Sequence, residues 1–325
     1  MKRIYLLIIL ISFSVVSFAQ TLKFNSKGEF KIVQFSDLHY VIHNPASLAA
    51  TDCIDKIISA EKPDLVIVTG DIVYSSPSDS TLQIVLDCLS KNKTPFAITF
   101  GNHDGEADLP LSKLNAQIVK AKYSIQPAQA ADGSLDYVLK IMSSDNSHPA
   151  ALLYCFDSHS NAQIENTGKY AWITPDQVNW YRTQSNINIK ANGGKPLPSL
   201  AFFHIPLPEY GEAITSQQSL VHGSRMEEVA SPKINTGLFA NMRLQGDVMG
   251  IFCGHDHDND FSAMWYGIVL AYGRFSGGNT EYNHLPNGAR VIILKEGQRA
   301  FESYVHQRNG EIVNRTVYPD SYVKK

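Results

Sequence analysis

The sequence predicts a layered α/β domain, and three observations carry that prediction. Of 325 residues, 44% are hydrophobic and 18% charged, enough apolar material for a large core and too little charge for a disordered chain. Short apolar runs rich in β-branched residues alternate with longer stretches of helical period through the first half of the chain. Those runs lack the apolar–polar alternation of a half-exposed strand, as expected where both faces of a sheet are covered.

The elements follow in order. Residues 31–35 (KIVQF) read as a strand and 46–60 as a helix, then 65–68 as a strand, 80–90 as a helix, 96–100 as a strand and 111–122 as a helix. This is the alternation of βαβ units. Residues 137–141 and 151–156 read as neighbouring strands. A helix over 176–183 is opened by Thr174 and Pro175 in cap and first-turn positions. Later strands cover 200–203, 248–253, 268–272 and 291–294, so the C-terminal half is richer in strand. The Asn-, Gly- and Pro-rich stretch 186–198 reads as a surface loop, and 217–235, of weak periodicity, as a long loop. With no internal repeat and no clear linker, one domain is expected over 20–325.

Residues 1–19 are set apart. Lys2 and Arg3 precede an apolar run from Ile4 to Val16, and Ser17 and Ala19 place small residues at −3 and −1 of a cleavage site. That is the layout of a secretory signal peptide, and the run is shorter than the ~20 residues of a membrane span. The expected mature protein is exported, to the periplasm or the medium, without a stable membrane span. A formal charge of −3 and the absence of any Lys/Arg run give no support for a nucleic-acid-binding patch, and none is expected. Export permits disulfides among four cysteines. Cys155 and Cys253 sit in apolar strand runs, whereas Cys53 and Cys88 on predicted helices leave both a bridge and free thiols open. No CxxC spacing points to a cysteine metal site.

The chemistry is positional. Five apolar runs end in metal-competent residues: KIVQF leads to Asp37 and His39, DLVIVT to Asp71, FAITF to Asn102, His103 and Asp104, LAFF to His204, and VMGIFC to His255 and His257. Sites in open α/β sheets assemble at the C-terminal ends of strands. Carboxylate, imidazole and amide oxygen together suit Zn, Mn or Fe. Gly70, Gly101 and Gly254 each stand beside a ligand candidate, where a missing side chain eases a tight turn or close approach. One such motif is ordinary loop chemistry; five in series are not. By contrast His43, His148, His159, His222, His284 and His306 have no partners at motif spacing and read as loop or chain-end residues. Arg274, in AYGRFSGG after a strand, is a candidate to grip phosphate bidentately, with an exposed loop arginine as the alternative.

The series D37LH39, G70D71, G101N102H103D104, H204 and G254HDH257 resembles the calcineurin-like metallophosphoesterases over roughly residues 30–295. HIPLPEY from His204 and FCGHDHDNDF from Phe252 look like the short-chain purple-acid-phosphatase-like subgroup. The resemblance implies a four-layer αββα sandwich of two mixed sheets flanked by helices. It implies that Asp37, His39 and His257 hold one metal ion, that Asn102, His204 and His255 hold a second, and that Asp71 bridges them by sharing its two oxygens. Two such ions clamp phosphoryl oxygens and supply hydroxide near neutral pH. His103 is implied as the acid at the leaving oxygen or a donor to the phosphoryl group beside Asn102, and Asp104 as the residue that orients it.

One departure bears on the metal. Tyr74 stands three residues after Asp71, where the purple enzymes carry an iron-binding tyrosine, yet His39 stands where they have glycine. The expectation is His39 as ligand, Tyr74 as a packing or hydrogen-bonding neighbour, and a colourless protein holding Zn, Mn or Fe. The expected substrate is a small phosphate ester, a monoester ahead of a diester or nucleotide. A non-catalytic binding protein would instead require damage to the ligand set, and none is visible.

Overall fold

The computed structural model describes residues 21–324. The predicted signal peptide lies outside the described residues. Among those described, no helix is long and apolar enough to cross a membrane.

The first half runs β1 (Glu29–Phe35), α1 (Leu48–Glu61), β2 (Leu65–Thr69), α2 (Ser78–Lys91), β3 (Phe96–Thr99) and α3 (Leu111–Lys120). Then come β4 (Tyr137–Met142), β5 (Pro149–Cys155), α4 (Pro175–Ala191), β6 (Ser199–Phe202), α5 (Glu209–Thr215), β7 (Val221–His222) and α6 (Leu238–Gln245). The chain closes with β8 (Val248–Cys253), β9 (Ser262–Trp265), β10 (Ile268–Tyr272), β11 (Gly288–Lys295), β12 (Phe301–Gln307) and β13 (Ile312–Tyr318). One sheet has the order β13-β12-β11-β1-β2-β3, the other β4-β5-β6-β8-β10-β9-β7. Both are mixed: β1, β2 and β3 are parallel, as are β5, β6, β8 and β10, with antiparallel strands completing each sheet.

Side-chain alternation explains the layering. In β1 and β2, Val33, Phe35, Val66 and Val68 face the helices α1 and α2. Their neighbours Ile32, Leu65 and Ile67 face the other way and meet Leu153, Phe202 and Phe252 of the second sheet. The far side of that sheet, with Tyr154, Phe203 and Ile251, packs on α4, α5 and α6. Burying both faces of each sheet gives the four-layer αββα sandwich, and it explains why the strands carry continuous apolar runs. Each fully buried aliphatic contributes about 1.5–3 kcal/mol relative to exposure.

Several expectations change. The Thr174–Gln177 capping box and Pro175 do open α4, but that helix continues to Ala191, through the first part of the predicted loop 186–198. Asn188 is buried within that helix, its side chain donating to the Gln184 carbonyl. Both α5 and α6 are additional, short helices, and β12–β13 is a hairpin beyond the last predicted strand. All four cysteines are buried free thiols, so no bridge joins α1 to α2. Burial pushes the Cys53 and Cys88 thiols up to about 12.

Candidate metal centre

The loops that leave β1, β2, β3, β6 and β8 meet at one edge of the sandwich. There the donor atoms of Asp37, His39 and His257 lie within 4.8 Å of one another, and so do those of Asp71, His204 and His255. All six are buried. Turning the chain so abruptly after a strand requires left-handed backbone at Asp37 (φ 56°), His39 (40°), Asp71 (51°) and His255 (81°), conformations that are costly outside glycine and cluster at functional sites. Crowding also dictates the glycines. A Cβ on Gly254 would sit 1.8 Å from Ser36 Oγ and 2.7 Å from Asp37 Oδ2, and one on Gly101 would sit 2.2 Å from Asp71 Oδ1.

The donor set fits metal ions. His257 Nδ1 donates to the Tyr282 carbonyl at 2.8 Å, and His204 Nδ1 to the Thr69 carbonyl at 2.8 Å. In the neutral rings this leaves the lone pair of each on Nε2. His257 Nε2 then faces His39 Nε2 at 3.1 Å, and His204 Nε2 faces His255 Nδ1 at 3.3 Å. Asn102 Oδ1 is buried without a hydrogen-bond partner among the described residues. His257 Nε2 and His204 Nε2, acceptors in the neutral rings, together with the unpartnered Asn102 Oδ1, suit cations.

Protonation follows the same logic. Burial pushes His39 down to about 3 and His255 well below the usual imidazole range, which keeps both rings neutral and free to bind a cation. Burial raises Asp37. Burial also disfavours charge on His204 and Asp71, but their 3.0 Å contact outweighs it, lifting His204 to about 10 and lowering Asp71.

Three expectations need correction. Asp71 does not offer one oxygen to each group. Its Oδ1 accepts the His103 N–H at 2.8 Å, while Oδ2 alone lies between His204 Nε2 (3.0 Å) and His39 Nε2 (3.6 Å). Asp104 does not orient the His103 ring. Its carboxylate accepts four backbone N–H groups, those of Asp71, Ile72, Val73 and Gly101, at 2.7–3.0 Å, and so ties the loop after β2 to the loop after β3. Arg274 does not face a phosphate site. It is 2% exposed, paired with Asp260 at 2.5 Å and bonded to the Pro286 carbonyl. Burial explains the error: the strand-end position placed it inside the fold.

Tyr74 packs edge-on against His39 (4.8 Å between ring centroids) and His103 (5.2 Å), as a packing neighbour.

Other residues of the centre escaped sequence reasoning. Glu106 Oε2 lies 2.6 Å from His103 Nδ1, and its signal was the i,i+3 spacing in HDGE. Tyr282 stacks on His257 at 4.4 Å, and its hydroxyl donates to Glu227, which also accepts the Asp258 N–H. Nothing local in the sequence links these three.

Comparison with known proteins agrees with this geometry. The family described as calcineurin-like phosphoesterase matches residues 30–259. Over 287 residues the chain is 32% identical to a protein of Arabidopsis thaliana named probable inactive purple acid phosphatase 14, covering 77% of this chain and 71% of that one. It is 30% identical over 282 residues to phosphatase DCR2 of Saccharomyces cerevisiae, covering 75% of this chain and 46% of that protein. A dimetal phosphatase from Danio rerio superposes with a TM-score of 0.61 at 13% identity, over 89% of this chain and 98% of that one, a likeness of fold alone.

Proposed function

We propose that this chain, which belongs to the calcineurin-like phosphoesterase family, is an exported, metal-dependent hydrolase of small phosphate monoesters. The observation that carries the reading is the pair of buried donor groups flanking Asp71 Oδ2. One relative is named a phosphatase and another probable inactive. The undamaged donor set of this chain favours catalysis. Residues 1–19 support export.

Asp37, His39 and His257 would hold one cation and Asn102, His204 and His255 the other, with Asp71 serving both. Oxygen and nitrogen donors of this kind suit Zn, Mn or Fe. When bound, the two cations would offset charge on the phosphoryl oxygens and acidify an attacking water. The chain supplies the rest. Glu106 accepts from His103 Nδ1, so in the doubly protonated ring Nε2 would be the nitrogen that hands its proton to the leaving oxygen, leaving the neutral Nδ1–H ring bonded to Glu106. Asp71 Oδ1 holds the His103 backbone in register with the centre. Diesters fit the same arrangement; similarity to proteins named purple acid phosphatases favours monoesters.

The test is turnover of an aryl phosphate and a bis-aryl phosphodiester, with metal analysis, for the parent protein and His103→Ala. The variant should keep its metal and lose about 10²–10⁴-fold in rate. Unchanged turnover would remove His103 from the chemistry. A metal-loaded parent inert on both substrates would favour the non-catalytic reading.

A further inference from the structure

A cavity of about 320 Å³ opens directly beside the metal centre, lined by Asn102, Glu106, Asp157, His159, Asn161 and Gln163 among others. A second, of about 360 Å³, shares Asp157 and His159 with it and continues to Trp180, adding the carboxylates of Asp132, Asp136 and Asp176. The two adjoin at Asp157 and His159 to give a trough whose inner end is lined by Asn102. Among the described residues, no lysine or arginine lines either cavity. The nearby Lys169 lies over the Tyr170 ring, outside both linings.

We infer that this trough receives the organic part of the ester and selects leaving groups that carry an ammonium or hydroxyls over those that carry a further anion. The inference rests on the phosphoesterase reading. A phosphoryl group held at the centre directs its ester oxygen outward, and the trough is the opening that begins at Asn102. A second phosphate or a carboxylate placed there would meet Glu106 and Asp157 with the imidazoles of His103 and His159 but no lysine or arginine beside them, whereas an ammonium would be attracted by both carboxylates. Hydroxyls find the Asn161 and Gln163 amides. The wall is firmly built: His159 Nε2 donates to Gln177 Oε1 at 2.8 Å, and Asp157 Oδ1 accepts the His159 N–H.

The experiment uses the metal-loaded protein and three alkyl phosphates with primary alkoxide leaving groups: phosphoethanolamine, glycerol 1-phosphate and 3-phosphoglycerate. Each is measured as a competitive inhibitor of aryl phosphate turnover. Inhibition constants should rise in that order, with about tenfold between the first and the last. Gln163→Lys, an exposed change, should narrow that gap about threefold or more. Equal or reversed constants, no inhibition by any of the three, or a gap unaltered by Gln163→Lys would each overturn the inference while leaving phosphoesterase activity intact. An aryl phosphate that is not hydrolysed at all would instead defeat the reading it rests on.

Discussion

Two buried polar clusters, both fed by the segment after β8, differ in how they are satisfied. Around Asp260 the groups close on one another. Its carboxylate accepts from Arg274, Asn314 and the Ser224 N–H, and its carbonyl accepts from Arg290, which also binds the Tyr272 carbonyl and Ser303. Around Asp71, ring nitrogens face ring nitrogens, His39 Nε2 on His257 Nε2 and His204 Nε2 on His255 Nδ1. The first cluster is bonded almost throughout, Arg274 Nε excepted; the second leaves His39 Nδ1, Asn102 Oδ1 and His255 Nε2 without partners among the described residues. Buried charge alone therefore does not mark a functional site, and what distinguishes the two is whether the acceptors already have donors.

The contrast predicts opposite failures. Asp71→Ala should abolish binding of both ions and cut turnover about a thousandfold or more, with the fold intact; metal analysis showing two ions retained would break the comparison at its centre. Arg274→Met should leave metal content per folded molecule unchanged and lower stability by about 3–5 kcal/mol in urea unfolding, because Asp260 loses its charged partner. Normal stability with weakened phosphate affinity would return Arg274 to the site. Tyr282→Ala removes the ring stacked on His257 and should weaken metal affinity about 10–100-fold in chelator competition, whereas Tyr282→Phe, which keeps the ring, should stay near the parent.

The smallest effect concerns Glu61, a third closed cluster remote from the centre. Burial alone would raise its carboxyl, but bonds from Lys31, His306 and Tyr304 lower it on balance. A lowered folded-state value stabilises the native state above the unfolded carboxylate range and is lost as pH falls toward the folded value. Acid unfolding curves of Glu61→Gln should therefore fall less steeply on that limb than those of the parent; identical slopes would exclude Glu61 from the acid response.

The strand ends that carry the ligand candidates were legible because each ligand follows an apolar run within a few residues, so its place in the sheet is a local property. The same locality exposed Gly101 and Gly254. Contacts set by tertiary approach were not legible. Tyr282 reaches His257 across 25 residues, and the carboxylate nearest the His103 ring proved to be Glu106 rather than the adjacent Asp104. The β12–β13 hairpin was missed because FESYVHQ of β12, though buried, interleaves polar with apolar residues, and β13 is mostly exposed or half-buried. Helix α4 outran its predicted end because capping and side-chain bonds offset poor helix formers such as Asn188.

Asp104 sets a boundary between what the molecule must preserve and what it can exchange. Four amides drawn onto one carboxylate make the turns after β2 and β3 a single rigid piece, which carries Asp71, Asn102 and His103 together. The trough wall at 157–163 belongs to a separate stretch of chain that this knot does not include. An engineer could therefore redraw the wall to admit new leaving groups while the reactive machinery keeps its registration, and a library spread across both regions would fail mainly through changes to the first.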